Sequence, residues 1–169
     1  LAAQRAEEKG IVQRDIRARE VGHNDADPDP DDVELSVTTY EAGGGTEQFI
    51  AFEDPVRDLL VGFCRLRFPS FAPEQPGMPG TEGDPIRREL ADAALVRELH
   101  VYGTEVGIGG DGDWQHQGYG TRLLERAEEL AREAGYRKIA VISGIGAREY
   151  YREKLGYRQD GPYVSKRIL

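Results

Sequence analysis

The sequence contains very little cysteine, a minority of basic residues and no long apolar run. Among its 169 residues only Cys64 is a cysteine, which excludes an intrachain disulfide framework, a cysteine-rich zinc finger and a cysteine-ligated iron–sulfur cluster within this chain. No apolar segment is long enough to span a bilayer, so the sequence predicts a soluble protein without a membrane partner. The single cysteine also favours a reducing, cytoplasmic setting.

Basic residues are fewer than acidic ones. Lys and Arg total 22 against 31 Asp and Glu, which gives a net charge of −9 and argues against nucleic acid or an anionic membrane as the default partner. Six of the acids lie in residues 24–34, however, and the rest of the chain carries only −3. A local basic surface near the C-terminus therefore remains open as an interpretation, built from Arg148, Arg152, Lys154, Lys166 and Arg167.

The length fits one domain with a core of its own. Alternating Asp and Pro in residues 24–34 disfavour helix and sheet, so we interpret this segment as a solvated linker. It lacks the Gly and the terminal Glu of an EF-hand loop, which argues against a calcium site. The predicted organisation is a polar extension with an acidic linker, residues 1–32, followed by a globular domain, residues 33–169. The chain begins at Leu1, which favours an excised or processed piece.

Hydrophobic periodicity predicts an α/β fold for the globular domain. Strand-like patterns cover residues 34–42, 46–54, 58–68, 94–103 and 138–143. The period changes to 3.6 over residues 118–134, which predicts an amphipathic helix, and a second helix is predicted over 147–155. With a last strand pair within 157–169, the elements form a mixed, mostly antiparallel twisted sheet flanked by helices.

The segment Gln115–Thr121, with sequence QHQGYGT, lies between a strand and the amphipathic helix. Glycines at 118 and 120 allow a ligand to approach the backbone closely, and the amides at a helix start point outward at the positive end of the helix dipole. This arrangement suits a pyrophosphate group. An equally weighted alternative is that the glycines only start a helix after a loop.

A second glycine pattern carries less information. Gly107, Gly109 and Gly112 satisfy G-x-G-x-x-G, but they do not open a helix directly after a strand, so we interpret them as a loop.

Cys64 lies in the middle of a predicted strand and is interpreted as a core residue. For His100 a satisfied buried imidazole is as good an interpretation as a catalytic one.

The order of these motifs resembles the acyl-CoA-binding core of the GNAT acetyltransferase superfamily: a strand, Q-x-x-G-x-G opening a helix, an apolar strand, and a helix with a tyrosine pair. Five segments resemble, more specifically, the C-terminal acetyltransferase domain of the Elongator catalytic-subunit family. They are LVGFCRLRFPS (60–70), ALVRELHVYG (94–103), WQHQGYGTRLLERAEELA (114–131), KIAVISGIGAREYYREKLGY (138–157) and DGPYVSKRIL (160–169). The resemblance covers nearly the whole chain.

The resemblance implies a GNAT-like domain over residues 33–169 that uses acetyl-CoA. The family modifies C5 of the wobble uridine (U34) of tRNA, which implies tRNA as a partner. It also uses a [4Fe–4S] cluster and S-adenosylmethionine in a radical domain that this sequence lacks, so we expect the chain to work with that domain or with other Elongator-type subunits. Where relatives carry C-x-C-x-x-C this sequence has Gln13, Asp15 and Ala18, so we expect no structural zinc.

The resemblance further implies which residues bind acetyl-CoA. The main chain of the fourth strand is expected to contact the acetyl and pantetheine groups through Glu98, Leu99, His100 and Val101. Backbone amides at the start of the helix are expected to bind the pyrophosphate, with Gln115 steering the turn. These amides belong to Gln117, Gly118, Tyr119, Gly120 and Thr121.

The tyrosine pair, Tyr150 and Tyr151, matches the catalytic position of the family near the thioester sulfur. A phenol with a pKa near 10 can donate a proton to a departing thiolate. Adjacent helix residues point about 100° apart, so we expect Tyr150 to face the thioester and Tyr151 to form a core pair with Leu155. Two alternatives remain open, an N-acetyltransferase of an amine or lysine and a non-catalytic module that senses acetyl-CoA.

Overall fold

The computed structural model describes residues 15–22, 27–69, 88–102 and 118–169. Seven strands form its sheet: β1 Glu34–Ala42, β2 Gly45–Asp54, β3 Leu59–Phe68, β4 Ala93–Val101, β5 Lys138–Val141, β6 Arg158–Asp160 and β7 Tyr163–Arg167. Three helices accompany them: α1 Ile16–Arg19, α2 Tyr119–Glu133 and α3 Arg148–Lys154. Single 3₁₀ turns cover Arg88–Leu90 and Ile145–Ala147.

The strands form one sheet in the order β1-β2-β3-β4-β5-β7-β6. Every neighbouring pair is antiparallel except β4 and β5, which are parallel. In the chain the segment between these two strands contains α2, as a parallel pair requires a crossover. The predicted mixed, mostly antiparallel sheet with flanking helices is confirmed.

Helix α2 covers one face of the sheet. Its buried residues Leu123, Leu124, Ala127 and Ala131 repeat at helical spacing and join the main core, which includes side chains from β2, β3, β4 and β5. The predicted helix extends to residue 134, but Ala134 is the exposed C-cap, because the helix ends at Glu133.

The described residues before β1 are attached to the sheet. Arg19 pairs with Glu53 and with Asp58, the latter at 2.7 Å, and the Val21 N–H donates to the Leu60 carbonyl at 3.1 Å. Asp15 and Ala18 occupy two of the positions that carry cysteine in the resembled family. The Asp15 carboxylate caps α1 by accepting a hydrogen bond from the Ala18 N–H at 3.0 Å.

The described part of the acidic segment is held by one basic residue. Arg57, in the turn between β2 and β3, pairs with Asp32 at 2.7 Å, with the buried Asp54 at 2.8 Å and with Asp29 at 3.6 Å. The sequence predicts a solvated linker here because residues 24–34 contain no basic residue; the compensating charge comes from elsewhere in the chain. The domain boundary at residue 33 stays a prediction.

Across the described residues, no helix has both the length and the apolar character needed to cross a membrane.

Candidate active site

Strand β4 separates from β5 halfway along its length. The two strands pair from Ala93 and Lys138 up to Val96 and Val141, and the Ile142 N–H still donates to the Val96 carbonyl at 3.0 Å. On its other side β4 stays paired with β3 as far as Val101. Within the described residues, the β5-facing edge of β4 therefore has no strand partner beyond Val96, and we call the space beside this edge the cleft.

The pairing with β3 determines which peptide groups of β4 face this cleft. The Tyr102 N–H donates to the Val61 carbonyl at 2.8 Å, and peptide groups alternate in direction along an antiparallel strand. Glu98 and His100 thus direct their peptide groups toward β3. Leu99 and Val101 direct theirs away from β3, toward the cleft, so two of the four predicted β4 residues offer main-chain groups to a ligand.

Helix α2 begins beside the end of β4. A Cβ built on Gly120 would lie 3.5 Å from Val101 Cγ2, so the first turn of the helix approaches the strand closely. Gly118 caps the helix in a left-handed conformation with φ +70, and its carbonyl accepts the Arg122 N–H at 3.0 Å. The amides of Gly120 and Thr121 precede this bond and have no acceptor within the helix.

Tyr119 anchors the start of α2 in the core. Its side chain is buried, and its ring lies 4.8 Å from that of Phe52, with the Arg122 guanidinium 4.5 Å above the Phe52 ring. Burial raises the pKa of Tyr119. Its side chain therefore serves to position the helix, and only its backbone is available for the role that the resemblance implies.

The two tyrosines of α3 have different surroundings. Tyr150 is 47% exposed, and its hydroxyl lies 3.3 Å from Thr121 Oγ1 in the first turn of α2. Tyr151 is buried, and this burial raises its pKa to about 12. Its ring contacts that of Tyr157 edge to face at 5.7 Å. The structure thus brings the Tyr150 hydroxyl, and not the Tyr151 ring, to the start of α2.

Behind the tyrosine pair lies a buried polar group. Tyr157 donates its hydroxyl hydrogen to Glu128 at 2.9 Å, and the Lys166 ammonium donates to both oxygens of the same carboxylate at 2.9 and 3.0 Å. Arg148 donates to the Pro162 carbonyl at 3.0 Å. Two residues of the basic surface suggested near the C-terminus, Arg148 and Lys166, are therefore engaged in contacts within the chain.

Ser143 is a candidate that the sequence does not single out. Its hydroxyl oxygen is buried and has no hydrogen-bond partner among the described residues. It lies two residues after the end of β5, close in sequence to the point where β4 and β5 stop pairing. The only signal in the sequence is a hydroxyl residue directly after an apolar strand.

Some of the other residues singled out from the sequence lie among the described residues, and some do not. Gln115 and Gln117, like the Gly107–Gly112 pattern, lie outside the described residues. His100 is exposed, which contradicts the interpretation as a buried imidazole. Cys64 is fully buried and its pKa is raised by burial to about 12, as expected of a core residue. Over the described ranges, no group of three or more His, Cys, Asp or Glu could hold a metal ion.

Comparisons with known proteins identify the family. Residues 14–157 match the acetyltransferase (GNAT) family. The chain is 45% identical over 171 residues to a tRNA uridine(34) acetyltransferase of Methanocaldococcus infernus, and the match spans 96% of this chain and 29% of that protein. It is 46% identical over 174 residues to Elongator complex protein 3 of Schizosaccharomyces pombe, again with 29% of the relative covered.

A solved structure agrees as well. The archaeal Methanocaldococcus infernus Elp3 with an N-terminal deletion matches with a TM-score of 0.78 at 43% identity, covering 98% of this chain and 38% of that chain. The chain therefore spans less than a third of the length of the two curated relatives above.

Proposed function

The chain belongs to the acetyltransferase (GNAT) family, and from this premise we propose that it is the acetyl-CoA-binding domain of an enzyme that modifies C5 of the wobble uridine, U34, of tRNA. The names of the relatives that match it over nearly its whole length support this substrate class. The rest of such an enzyme lies outside this chain.

One observation supports the acetyl-CoA site above all. The first turn of α2 lies next to the end of β4, whose edge has no strand partner there within the described residues, and the same turn lies next to the Tyr150 hydroxyl. Main-chain donors and acceptors suit the amides of a pantetheine arm, and helix amides suit a pyrophosphate. The residues present therefore fit both polar parts of the molecule, and the buried Ser143 hydroxyl offers one further hydrogen bond.

Acetyl-CoA supplies an acetyl group activated as a thioester. The peptide groups of Leu99 and Val101 hold the pantetheine arm and the acetyl carbonyl, and the amides of Gly118, Gly120 and Thr121 bind the pyrophosphate. In the chain by itself, water would accept the acetyl group and leave as acetate, and the Tyr150 hydroxyl would donate a proton to the departing CoA thiolate and regain one from that water, as a positioned general acid does. Tyr151 holds α3 in the core through its contact with Tyr157.

A pyrimidine C5 is not a nucleophile like an amine, so forming the new bond needs chemistry beyond this domain. The resemblance implies a radical domain with a [4Fe–4S] cluster and S-adenosylmethionine. This chain offers one cysteine, and Cys64 is buried, so cysteine ligands for such a cluster must come from another domain. The proposed partners are therefore that domain or Elongator-type subunits, together with tRNA.

The test is a titration of acetyl-CoA into the purified chain, followed by measurement of CoA release with and without tRNA. We expect saturable binding and tRNA-stimulated release. A chain that binds no acetyl-CoA contradicts the proposal. Rapid acetylation of a polyamine without tRNA indicates an amine acetyltransferase instead, and binding without release under either condition indicates a sensing module.

The variant Tyr150→Phe tests the assigned acid. It keeps the ring but removes the proton, so acetyl-CoA binding stays and CoA release slows by about 100-fold. Tyr163→Phe on β7 is the matched control, because it removes a phenol that has no hydrogen bond from its hydroxyl among the described residues. Equal release rates for the two variants contradict the role of Tyr150.

A further inference from the structure

The face of the sheet opposite α2 carries a cluster of arginines around one carboxylate. Glu47 on β2 is fully buried and accepts hydrogen bonds from Arg65 at 2.9 Å, from Arg67 at 3.1 Å and from the Tyr40 hydroxyl at 3.0 Å. It also accepts one from Arg97 on β4. Three guanidinium groups from two strands thus converge on a single carboxylate.

The cluster holds more positive than negative charge. Burial alone raises the pKa of Glu47, but the hydrogen bonds from Arg65, Arg97, Tyr40 and Arg67 outweigh it and lower the pKa to about 2, so Glu47 is ionised at neutral pH. Within the described residues, the one other acid bonded to these arginines is Glu98, which pairs with Arg65 at 3.1 Å. Three positive groups therefore face two negative ones, in a chain whose net charge is −9.

One member of the cluster is free to contact a ligand. Arg67 uses its other hydrogen bonds on the carbonyls of Ala42 and Gly43. The Arg97 side chain is 38% exposed, and its bond to Glu47 is its only one within the described residues. The remaining donors of its planar guanidinium match the oxygens of a phosphate group. Glu47 holds Arg97 in place, so little side-chain entropy is lost on binding.

Aromatic side chains continue the same face beyond the arginines. The Phe49 ring is stacked on that of Phe63 at 5.1 Å, and Phe63 is stacked on the imidazole of His100 at 5.3 Å. His100 is exposed and is also stacked with Tyr102 at 6.3 Å. Phe63 itself is buried, so His100 is the exposed ring of this row. Arginine side chains next to an exposed ring are a combination that binds single-stranded nucleic acid, because phosphates pair with arginine and bases stack on rings.

We propose that this surface, defined by Arg65, Arg67, Arg97 and His100 and here called the arginine face, binds a single-stranded segment of the substrate RNA. Arg97 contacts a backbone phosphate, and the His100 ring provides a stacking surface for a base. The inference rests on the proposed function, because that function supplies RNA as the substrate. It adds the location, the side of the sheet opposite α2. The surplus guanidinium charge then has a role, because a polyanion relieves the repulsion among the three arginines.

The experiment measures the affinity of the chain for a fluorescent anticodon stem-loop RNA across a series of salt concentrations. Arg97→Gln removes the charge and leaves Glu47 with its other partners. Arg126→Gln on α2 is the matched control, because Arg126 is similarly exposed and paired with Glu129 and Glu133. Both variants change the net charge equally, so a difference between them reports the site.

We expect Arg97→Gln to weaken RNA binding about tenfold and to reduce the slope of log affinity against log salt by about 0.7, the value for one phosphate of a single strand. Arg97→Lys keeps the charge and should restore the slope. Arg126→Gln should change affinity less than about twofold. Acetyl-CoA binding is measured in parallel and should be unaltered in each variant.

Three results overturn the inference. If Arg97→Gln and Arg126→Gln bind RNA equally well, the RNA lies elsewhere although the proposed function stands. If Arg97→Gln loses acetyl-CoA binding and Arg126→Gln does not, Arg97 has a structural role in the fold. If the unmodified chain binds acetyl-CoA but no RNA at low salt, the arginine face fails together with the RNA part of the proposed function, and a protein partner becomes the better occupant.

Discussion

The carboxylate beneath the arginine face allows a quantitative test of how this surface is organised. Glu47→Gln preserves the size of the side chain and its carbonyl acceptor but removes the negative charge. The Arg65, Arg67 and Arg97 guanidiniums then surround a neutral amide. Removing one member of a buried charged group leaves the others uncompensated, and such changes cost more than loss of a surface ion pair.

The size of the effect follows from the proton affinity of the group. The pKa of Glu47 is lowered from 4.5 to about 2, and about 1.4 kcal/mol per pH unit converts this difference into at most about 3 kcal/mol of stability at neutral pH. We therefore expect Glu47→Gln to lower the free energy of unfolding by between about 1 and about 3 kcal/mol. For a domain of this size the melting temperature falls by about 2–4 °C for each kcal/mol lost.

The pH dependence has a defined sign. Because the folded pKa lies below the unfolded one, the stabilisation is fully present above about pH 4.5 and is lost as the pH falls toward about 2. Glutamine does not titrate. The stability difference between the unmodified chain and Glu47→Gln is therefore constant near neutrality and shrinks below about pH 4.5.

The assay is urea unfolding followed by circular dichroism at several pH values from about 7 to about 3. Glu129→Gln is the control, since Glu129 is exposed on α2 and Arg126 is its one ion-pair partner within the described residues; it should cost less than about 1 kcal/mol. A cost below about 1 kcal/mol for Glu47→Gln, or a difference that stays constant down to about pH 3, refutes the reasoning.

Two further predictions concern the helix start and the core. Gly118→Ala places a Cβ on a residue with a left-handed φ of +70, with no atom of the described residues within 4 Å, so strain of about 1 kcal/mol should weaken acetyl-CoA binding severalfold. Gly135→Ala, at the other end of α2 with φ +87 and no described atom within 4 Å, should lower stability and leave acetyl-CoA binding unchanged. Calorimetry measures both binding and stability and so distinguishes the two variants. Because burial raises the pKa of Cys64 to about 12, iodoacetamide should label it only in urea; mass spectrometry showing complete labelling of the folded chain contradicts this.

Hydrophobic periodicity predicted the ends of a strand correctly where the strand and its neighbour end at the same place. The predicted limits of β1 match the observed Glu34–Ala42, because its alternation and its partner β2 end at the same turn. The strand predicted over 138–143 ends instead at Val141. Its apolar residues continue, but β4 moves away after Val96, and the end of a strand depends on its neighbour as well as on its own sequence.

The arginine face was not predictable from the sequence for a related reason. Glu47, Arg65 and Arg67 occupy alternate positions in strands, which is the usual pattern of a solvent-facing side. Only the register of β2, β3 and β4 shows that their charges converge and that Glu47 is buried beneath them. Ser143 was not predictable for a similar reason. Whether its buried hydroxyl has a hydrogen-bond partner depends on the surrounding atoms, which the sequence does not give.

A single irregularity in β4 connects both candidate sites. The register between β3 and β4 shifts between Arg65 and Leu66, so Arg97 is the extra residue of a β-bulge. A bulge bends its strand and increases its twist, and this one directly follows Val96, the last residue of β4 paired with β5. The bend next to the cleft proposed for acetyl-CoA is therefore the same one that brings the Arg97 side chain to Glu47 on the opposite face. It follows that deleting Arg97 should close the cleft and disperse the cluster together, whereas Arg97→Gln should affect the cluster alone.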